Sequence, residues 1–588
     1  MDFDCVSNAL LNYKTLLTLA EYFRLSKPPF VREAIHCVQA TLLIKNLPSK
    51  EKALSRLNLA KLLLEHTKNI GHARGHLEES HQLSAYIHDI DGERIFFEST
   101  SLLAFVCAEQ NQSTLAKSLL RSTLERSVSS PLKIWHYRLI FQLAEVHAHD
   151  KEFNVAIDLL SMLGETTASQ NGHEFVSLLF LLSKNMLMLA TKDLYSFESN
   201  LVQMEERIHI FASQTMHIIR REIVNCFAGF LKVYHHLICG RARSAVEDLK
   251  KLQESIQLLA VTPDDGTLNA DDPESFQWMS KEHLCILVFL IKVMHFMHSG
   301  CIDRAMKYAD KALALIEKIK TRGNEYQMTN IFNVWLLEYV AMCKIIQGQS
   351  AQAILEISKV YEVSRQDPKL ANMTKPSIHV MLGLYAMSMN LMSDAEVHFK
   401  KALNLSHNQC DTYYLAAISL AIVYIRFGAQ QAIPFKELLH TFNEKAVTRS
   451  KVIRSAYFYM QGLKMFFYSK LEESKLFLME SLRISNTEDL SRMTACSLML
   501  LSHVTFAMGN PQETISKVVP AMQLANKIPD IYLQLWGSSL LKDCYSLTND
   551  VVRYEEGSQL HSKCTTQLLQ DHYTAVSQPE HNLLKDFI

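Results

Sequence analysis

The sequence is poor in the residues that make turns. Its 588 residues include only 17 glycines and 13 prolines, whereas ordinary usage of the two together is about 12%. Sheets and long irregular loops need those residues, so their scarcity excludes a β-rich fold and points to helices joined by short connections. Neither sign of charge is in excess: 60 basic residues face 61 acidic ones. The chain as a whole therefore has no electrostatic footprint for nucleic acid or an anionic membrane surface. Twelve cysteines lie scattered from Cys5 to Cys564 without one CxxC pair. That spacing excludes a zinc ribbon or disulfide framework and reads as reduced core thiols of the cytosol or nucleus. Long apolar runs are also missing, since Lys184 breaks the stretch 175–190 and Lys292 with His295 breaks 284–297, so no membrane span is expected. The opening MDFDC is acidic and lacks the basic and apolar regions of a signal peptide. What is present is 48% hydrophobic residues, enough for a large core and too many for a disordered chain.

A repeat organises that hydrophobic content. Small residues recur twelve positions apart, as Ala104 and Ala116, Ala144 and Ala156, Ala341 and Ala353, Gly383 and Ala395, Gly462 and Ser474, Ser502 and Thr514. Five positions before the second member a glycine often stands: Gly240, Gly300, Gly348, Gly428 and Gly509. Small residues let two helices cross closely, and such a glycine ends the first helix in a left-handed turn. The second positions fall at 34, 73, 116, 156, 197, 245, 305, 353, 395, 433, 474, 514 and 554, at intervals of 38 to 48 residues apart from one of 60. This is tetratricopeptide-like grammar with long helices. A length prior of about 150 residues per domain gives way to one all-α solenoid, a right-handed superhelix of about thirteen hairpins. In such a stack each unit leans only on its neighbours. The expected divisions are residues 1–260, an acidic Pro/Gly loop at 261–275, a second helical part at 276–573, and a tail at 574–588 that leaves the solenoid. The paired aspartates of that loop lack EF-hand spacing.

Chemistry is sparse along the chain. Signatures for dinucleotide, phosphate-loop, zinc-protease and serine-hydrolase sites (GxGxxG, GxxxxGK[ST], HExxH, GxSxG) are all absent. His66, His72, His76 and His81 form the best metal-like group, but two ligands on one helix face are half a site. They read as an exposed face, and neither catalysis, metal nor cofactor is expected. The basic group Arg449–Arg454 reads as a solvated face. Aromatic residues gather on first helices, which line the concave surface of such superhelices. From them Trp135, Tyr137, Phe141, Trp278, Trp335, Tyr339, Tyr413 and Tyr457 are the candidates for a partner-binding groove, against the plainer reading of a packed core stripe.

Several strings make the reading more specific. They are HTKN at His66–Asn69 with His76, WH at Trp135–His136 followed by RLIFQLA to Ala144, and FQW at Phe276–Trp278 with Lys281–His283. Further on stand NTEDL at Asn486–Leu490, TACSL at Thr494–Leu498, VPAMQLA at Val519–Ala525 with KIPD to Asp530, QLLQDH at Gln567–His572 and PEHNL at Pro579–Leu583. In order and over most of the chain, they resemble the Mau family, the smaller helical-repeat subunit of the cohesin loader. The resemblance implies a non-catalytic scaffold in a 1:1 heterodimer with a large HEAT-repeat loader subunit of the Nipped-B type. The partner's extended N-terminal segment would thread the groove. It further implies indirect contact with cohesin and chromatin through that complex, a role in sister-chromatid cohesion, chromosome partition and development, and a nuclear location with a cytoplasmic pool. Neither membrane nor small-molecule substrate is implied. The other reading of the same repeats is a tetratricopeptide adaptor in a different nuclear or cytosolic assembly.

Overall fold

The structure is a computed structural model that describes every residue except 1, 27–28, 68, 216, 263–278, 322–326, 407–410, 429–431, 441, 443–449 and 588. It divides into two compact units, one spanning Met1–Val224 and the other Asn225–Thr262 with Met279–Ile588. The division falls inside a helix, at Val224–Asn225, rather than after residue 260. The acidic loop and Trp278 lie outside the described residues.

In the first unit α1 (Asp2–Leu25) pairs with α2 (Val31–Leu42), α3 (Ser49–His66) with α4 (Ile70–Ser84), and α5 (Ile90–Glu109) with α6 (Ser113–Ser129). Next, α7 (Lys133–His149) pairs with a second helix built from α8 (Phe153–Asp158), a π-helical turn (Leu159–Glu165) and α9 (Thr166–Gln170). Last, α10 (Glu174–Ala190) pairs with α11 (Leu194–Gln214). The second unit takes in most of α12 (Ile218–Ile238) with α13 (Ala245–Val261), then α14 (Lys281–His298) with α15 (Ile302–Thr321), and α16 (Gln327–Ile346) with α17 (Ser350–Arg365). There follow α18 (Pro368–Ser388) with α19 (Met392–Leu405), α20 (Asp411–Phe427) with α21 (Ala432–His440), and α22 (Lys451–Phe467) with α23 (Leu471–Thr487). The last pairs are α24 (Ser491–Ala507) with α25 (Pro511–Lys527) and α26 (Ile531–Leu547) with α27 (Val551–Ser577). A 3-10 turn (Pro579–Asn582) and the short α28 (Leu583–Asp586) end the chain. The described residues thus contain thirteen hairpins and no strand, an all-α tetratricopeptide-like fold.

The small residues sit where the hairpins cross. Ala104, Ala116, Ala156, Ala341, Ala353, Ala395, Ser474, Ser502 and Thr514 are all fully buried. At one crossing the Ser474 hydroxyl donates to the Gly462 carbonyl oxygen (2.7 Å). A Cβ on Gly383 would stand 2.5 Å from the Phe399 ring, so only glycine lets that helix approach. Of the other second positions, Ala34 and Phe197 are buried, whereas Ile433 and Tyr554 are exposed.

The turn signal is broader than its glycines. Left-handed backbone recurs five residues before the second position in eleven successive hairpins: at Asn111, Lys151, Lys192, Gly240, Gly300, Gly348, Asn390, Gly428, Ser469, Gly509 and Asn549. The next amide closes back on the first helix, as in Gln112 N to Cys107 O (2.8 Å), Leu391 N to Ala386 O (2.8 Å) and Lys470 N to Met465 O (2.9 Å). This is the Schellman closure. Asparagine tolerates it at small cost. Even the exposed Ile433 and Tyr554 keep this register.

In the second unit the stack also returns onto itself. The Lys451 amide donates to the Cys239 carbonyl (3.0 Å), and Arg243 pairs with Asp489 (3.8 Å). A Cβ on Gly240 would meet Val452 N at 2.7 Å, and one on Gly300 would meet Ile528 Cγ1 at 3.0 Å and Ser491 Cβ at 3.1 Å. Gly348 stands against Ile531 and Leu568, and the Ser350 amide donates to Asp571 Oδ2 (2.6 Å). That carboxylate therefore serves the N-terminus of α17, on which anions are favoured. The expectation that units lean only on neighbours fails here, because turns of early hairpins touch the starts of late ones.

The tail completes the same seam instead of leaving the solenoid. Tyr385 Oη and His581 Nδ1 are 2.9 Å apart, and His398 Nε2 donates to the Leu584 carbonyl (3.0 Å). Phe587 packs between Tyr361 and His379, with ring centroids 5.3 and 4.8 Å away. Ala575 and Leu584 are buried in the core of α16–α20. A polar, proline-containing segment reads as loose, yet its carbonyls and imidazoles find partners on α18 and α19.

Candidate functional site

First helices present one edge to each other, one repeat apart. In the first unit Lys61 pairs with Glu98 (2.6 Å). Ser101 Oγ donates to Gln142 Oε1 (2.8 Å), while Gln142 Nε2 donates to the Ser101 carbonyl (2.7 Å). Phe141 stacks flat on Phe180, centroids 4.0 Å apart. Gly164 in the π-helical turn makes room for that ring, because a Cβ there would lie 2.4 Å from it.

The aromatic candidates split between buried core and part-open surface. Tyr137 is fully buried, its hydroxyl bonded to His173 Nδ1 (2.8 Å) and accepting from Asn171 Nδ2 (3.1 Å). It therefore joins neighbouring hairpins. Trp135 is buried with the Arg138 guanidinium over its ring at 5.0 Å, and Tyr413 is buried against Tyr414. Phe141, Tyr339 and Tyr457 keep part of their surface open, and Trp335 is 38% exposed. Tyr457 lies between Phe442 and Phe458 and accepts from Gln461 (3.0 Å).

Sequence reasoning missed a second aromatic row. Phe466 of α22, His503 of α24 and Trp536 of α26 stand in line, with centroids 5.0 and 5.9 Å apart, and Trp536 Nε1 donates to His503 Nδ1 (3.2 Å). All three keep open surface. Their spacing of about one repeat on consecutive first helices was the available signal, obscured because a histidine fills the middle rung.

Several part-open side chains of the second unit are strongly desolvated. Burial pushes the Glu338 carboxyl up to about 7, against a hydrogen bond from Ser377 that favours its charge. Burial drives His298 down to about 4 although Asp411 pulls the other way, and raises Tyr234 to about 12 and the Cys496 thiol to about 11. Tyr339 and Tyr459 are raised by the same cause. Each of these side chains nevertheless keeps some surface open. Nearby, close enough for its charge to act on Tyr459 and Cys496, Arg492 Nε donates to Asp530 Oδ2 (2.8 Å). Desolvation opposes the Arg492 charge, yet Asp530 holds that guanidinium, on a side chain 44% exposed, more firmly protonated than usual. Asp530 also caps α26 by accepting from the Leu533 amide (3.2 Å).

The histidine group is not a uniformly exposed face. His72 is exposed, but His76 Nδ1 lies 2.8 Å from Arg56, and His81 stacks on Phe96 with Thr100 at 2.9 Å from its Nδ1. These contacts bind α4 to α3 and α5, which gives the residues a packing role. Among the described residues no group of three histidine, cysteine or acidic side chains could hold a metal ion, and no helix is long and apolar enough to cross a membrane.

Comparison with known proteins agrees with the fold. A family model described as cohesin loading factor matches residues 12–551. The MAU2 chromatid cohesion factor homolog of Nematostella vectensis is 38% identical, covering 97% of this chain and 93% of its own. The homolog of Aedes aegypti is 37% identical, covering 97% and 91%, and that of Drosophila melanogaster 34%, covering 98% and 90%. Among solved structures, Scc4 in complex with Scc2n superposes with a TM-score of 0.56 at 11% identity, covering 95% of this chain and 99% of that one. Scc4 in complex with Scc2n and Ctf19n gives 0.56 at 10%, covering 96% and 98%. At such identities the likeness speaks for the fold.

Proposed function

The chain belongs to the cohesin loading factor family, and from that premise we propose that it is the scaffold subunit of a loading complex, holding the extended N-terminal segment of a large Nipped-B-type subunit against the inner faces of its hairpins. The family is one of loading factors and not of enzymes, with a chromosome-associated role. On this reading the chain forms a 1:1 heterodimer, reaches cohesin and chromatin through its partner, and works in the nucleoplasm.

The observation that carries the reading, beside family membership, is the accessible aromatic wall. Trp335 and Tyr339 on α16, Tyr457 on α22, and the row Phe466–His503–Trp536 on α22, α24 and α26 offer flat, part-open rings on first helices. Rings of that kind, buried by a partner, dominate interface energy. The solved Scc4 structures contain Scc2n, which supports the same kind of partner here. The wall is less apolar than the aromatic stripe alone suggests, since Glu338 and Arg492 share it. Basic and acidic residues balance over the chain (60 against 61), so long-range charge contributes little and binding depends weakly on ionic strength. Titration of the full chain with the partner's N-terminal fragment at about 50 and about 200 mM salt tests this. Tight binding at both is expected; micromolar binding that vanishes at the higher salt would refute it.

A further inference from the structure

The stack stops at α27 with one face left open. In earlier hairpins the second helix is covered by the next first helix, α4 by α5, α19 by α20 and α25 by α26. The residue eight places after the second position of the repeat makes that contact. His81 stacks on Phe96 of α5, Leu403 packs against the Tyr413–Tyr414 pair of α20, and Met522 meets Gly537 of α26, where a Cβ would stand 2.2 Å from its Sδ. On α27 the same place, eight after Tyr554, is Ser562, and it is exposed. The line it begins continues at alternating spacings of four and three through Thr566, Leu569, Tyr573 and Val576, which keeps it on one helix face. No first helix follows, because the chain beyond α27 docks on α17, α18 and α19.

That face is apolar as well as open. Leu569 is 63%, Tyr573 81% and Val576 56% exposed, and from Thr566 to Ser577 no exposed side chain carries a charge. Asp571 accepts from the Ser350 amide instead, and His572 is half-buried. The end helix of a solenoid ordinarily turns a polar face to water, and depletion of charge marks the core of an interface. The face is also self-complementary. Laid antiparallel on a copy about a two-fold axis level with residue 571, Leu569 meets the copy's Tyr573 and Thr566 meets its Val576, each contact occurring twice. A net charge of −1 gives two copies little long-range repulsion.

We propose that this face of α27 is the seat of a second copy of the chain, α27 packing antiparallel on α27. The proposal goes beyond the reading above and does not depend on it. The two-fold match of Leu569 with Tyr573 selects a second copy over an unrelated helix. A strip about 10 Å wide and three turns (about 16 Å) long falls well short of the about 800 Å² per partner of a stable interface. The pairing is therefore reversible, with a Kd of about 10–100 μM.

The test is sedimentation velocity of the full chain from about 1 to about 200 μM, a range that brackets this affinity. The wild type should pass from monomer to dimer across it. Leu569→Glu or Tyr573→Glu, each setting an unpaired charge in an apolar contact, should weaken association at least about tenfold. Tyr195→Glu, at a ring 85% exposed on α11, should leave it unchanged. The double variants Leu569→Lys/Tyr573→Lys and Leu569→Glu/Tyr573→Glu should each stay monomeric and pair with each other when mixed. A wild type that remains monomeric up to about 200 μM overturns the proposal and leaves the face to a helix of another protein. Dimers that survive the α27 substitutions, or that Tyr195→Glu also dissolves, overturn it by placing the contact elsewhere. Failure of the mixed double variants to pair, with the wild type dimeric, overturns the antiparallel register on which the choice of a second copy rests.

Discussion

Replacing Gly348 by alanine separates two duties that its turn performs. The residue has φ of +69°, and a Cβ there would stand 2.3 Å from Ile531 Cγ2 and 2.9 Å from Leu568 Cδ2. Gly509 has φ of +82° with nothing within 4 Å of the same position. Both substitutions meet the left-handed penalty, about 1–2 kcal/mol. Only Gly348→Ala must also push two buried side chains, 4% and 6% exposed, and overpacking adds about 1–3 kcal/mol. Gly348→Ala should therefore cost about 2–5 kcal/mol and Gly509→Ala about 1–2 kcal/mol. A chain of two units need not unfold in one step, so urea denaturation is paired with hydrogen exchange. Gly348→Ala should loosen amides around residues 528–533 and 565–572, far along the chain from the mutation. Equal costs at the two glycines, or loosening confined to α16 and α17, would refute the seam.

Two further outcomes follow from side-chain placement. His72→Ala should change stability by less than about 0.5 kcal/mol, whereas His76→Ala, which strips a partner from Arg56, should cost about 1–2 kcal/mol in urea denaturation; equal small effects would mean that His76 is exposed after all. The docked tail should also loosen in acid. Burial holds His379, His398, His572 and His581 below their ordinary range, His379 at about 4. Neutral rings favour the folded tail, so their contribution is complete above about pH 6.5 and is lost as pH falls through the depressed values. Asp571, raised by burial, works the other way, one group against four. Hydrogen exchange at about pH 7 and about pH 5, corrected for intrinsic rates, should show amides of 571–587 opening before those of α22–α25. Unchanged protection of the tail would contradict this.

The hairpin frame was legible because helix crossings demand small residues, and Ala116, Ala156, Ala353 and Ala395 supply them in fixed phase. The turn was only half legible. Glycine marks five left-handed positions, but Asn111, Lys151, Lys192, Asn390, Ser469 and Asn549 take the same conformation with residues common anywhere. The seam left no trace in the sequence. Its partners, Cys239 with Lys451 and Ser350 with Asp571, lie about 200 residues apart, and no periodicity connects them. For the same reason the tail reads, in sequence, as leaving the stack. At the site, aromatic content on first helices was visible, but burial was not. The buried Tyr137 cannot be told apart in one dimension from the half-open Trp335, since a helix shows its inner and outer faces every turn.

Site-specific photocrosslinking of the native complex tests the central claim most directly. A photoreactive residue placed at Trp335 or Trp536, the proposed docking rings, should capture the partner's N-terminal segment. One placed at Tyr573, 81% exposed on α27, should capture little of it. Capture from Tyr573 with none from Trp335 or Trp536 would contradict the account.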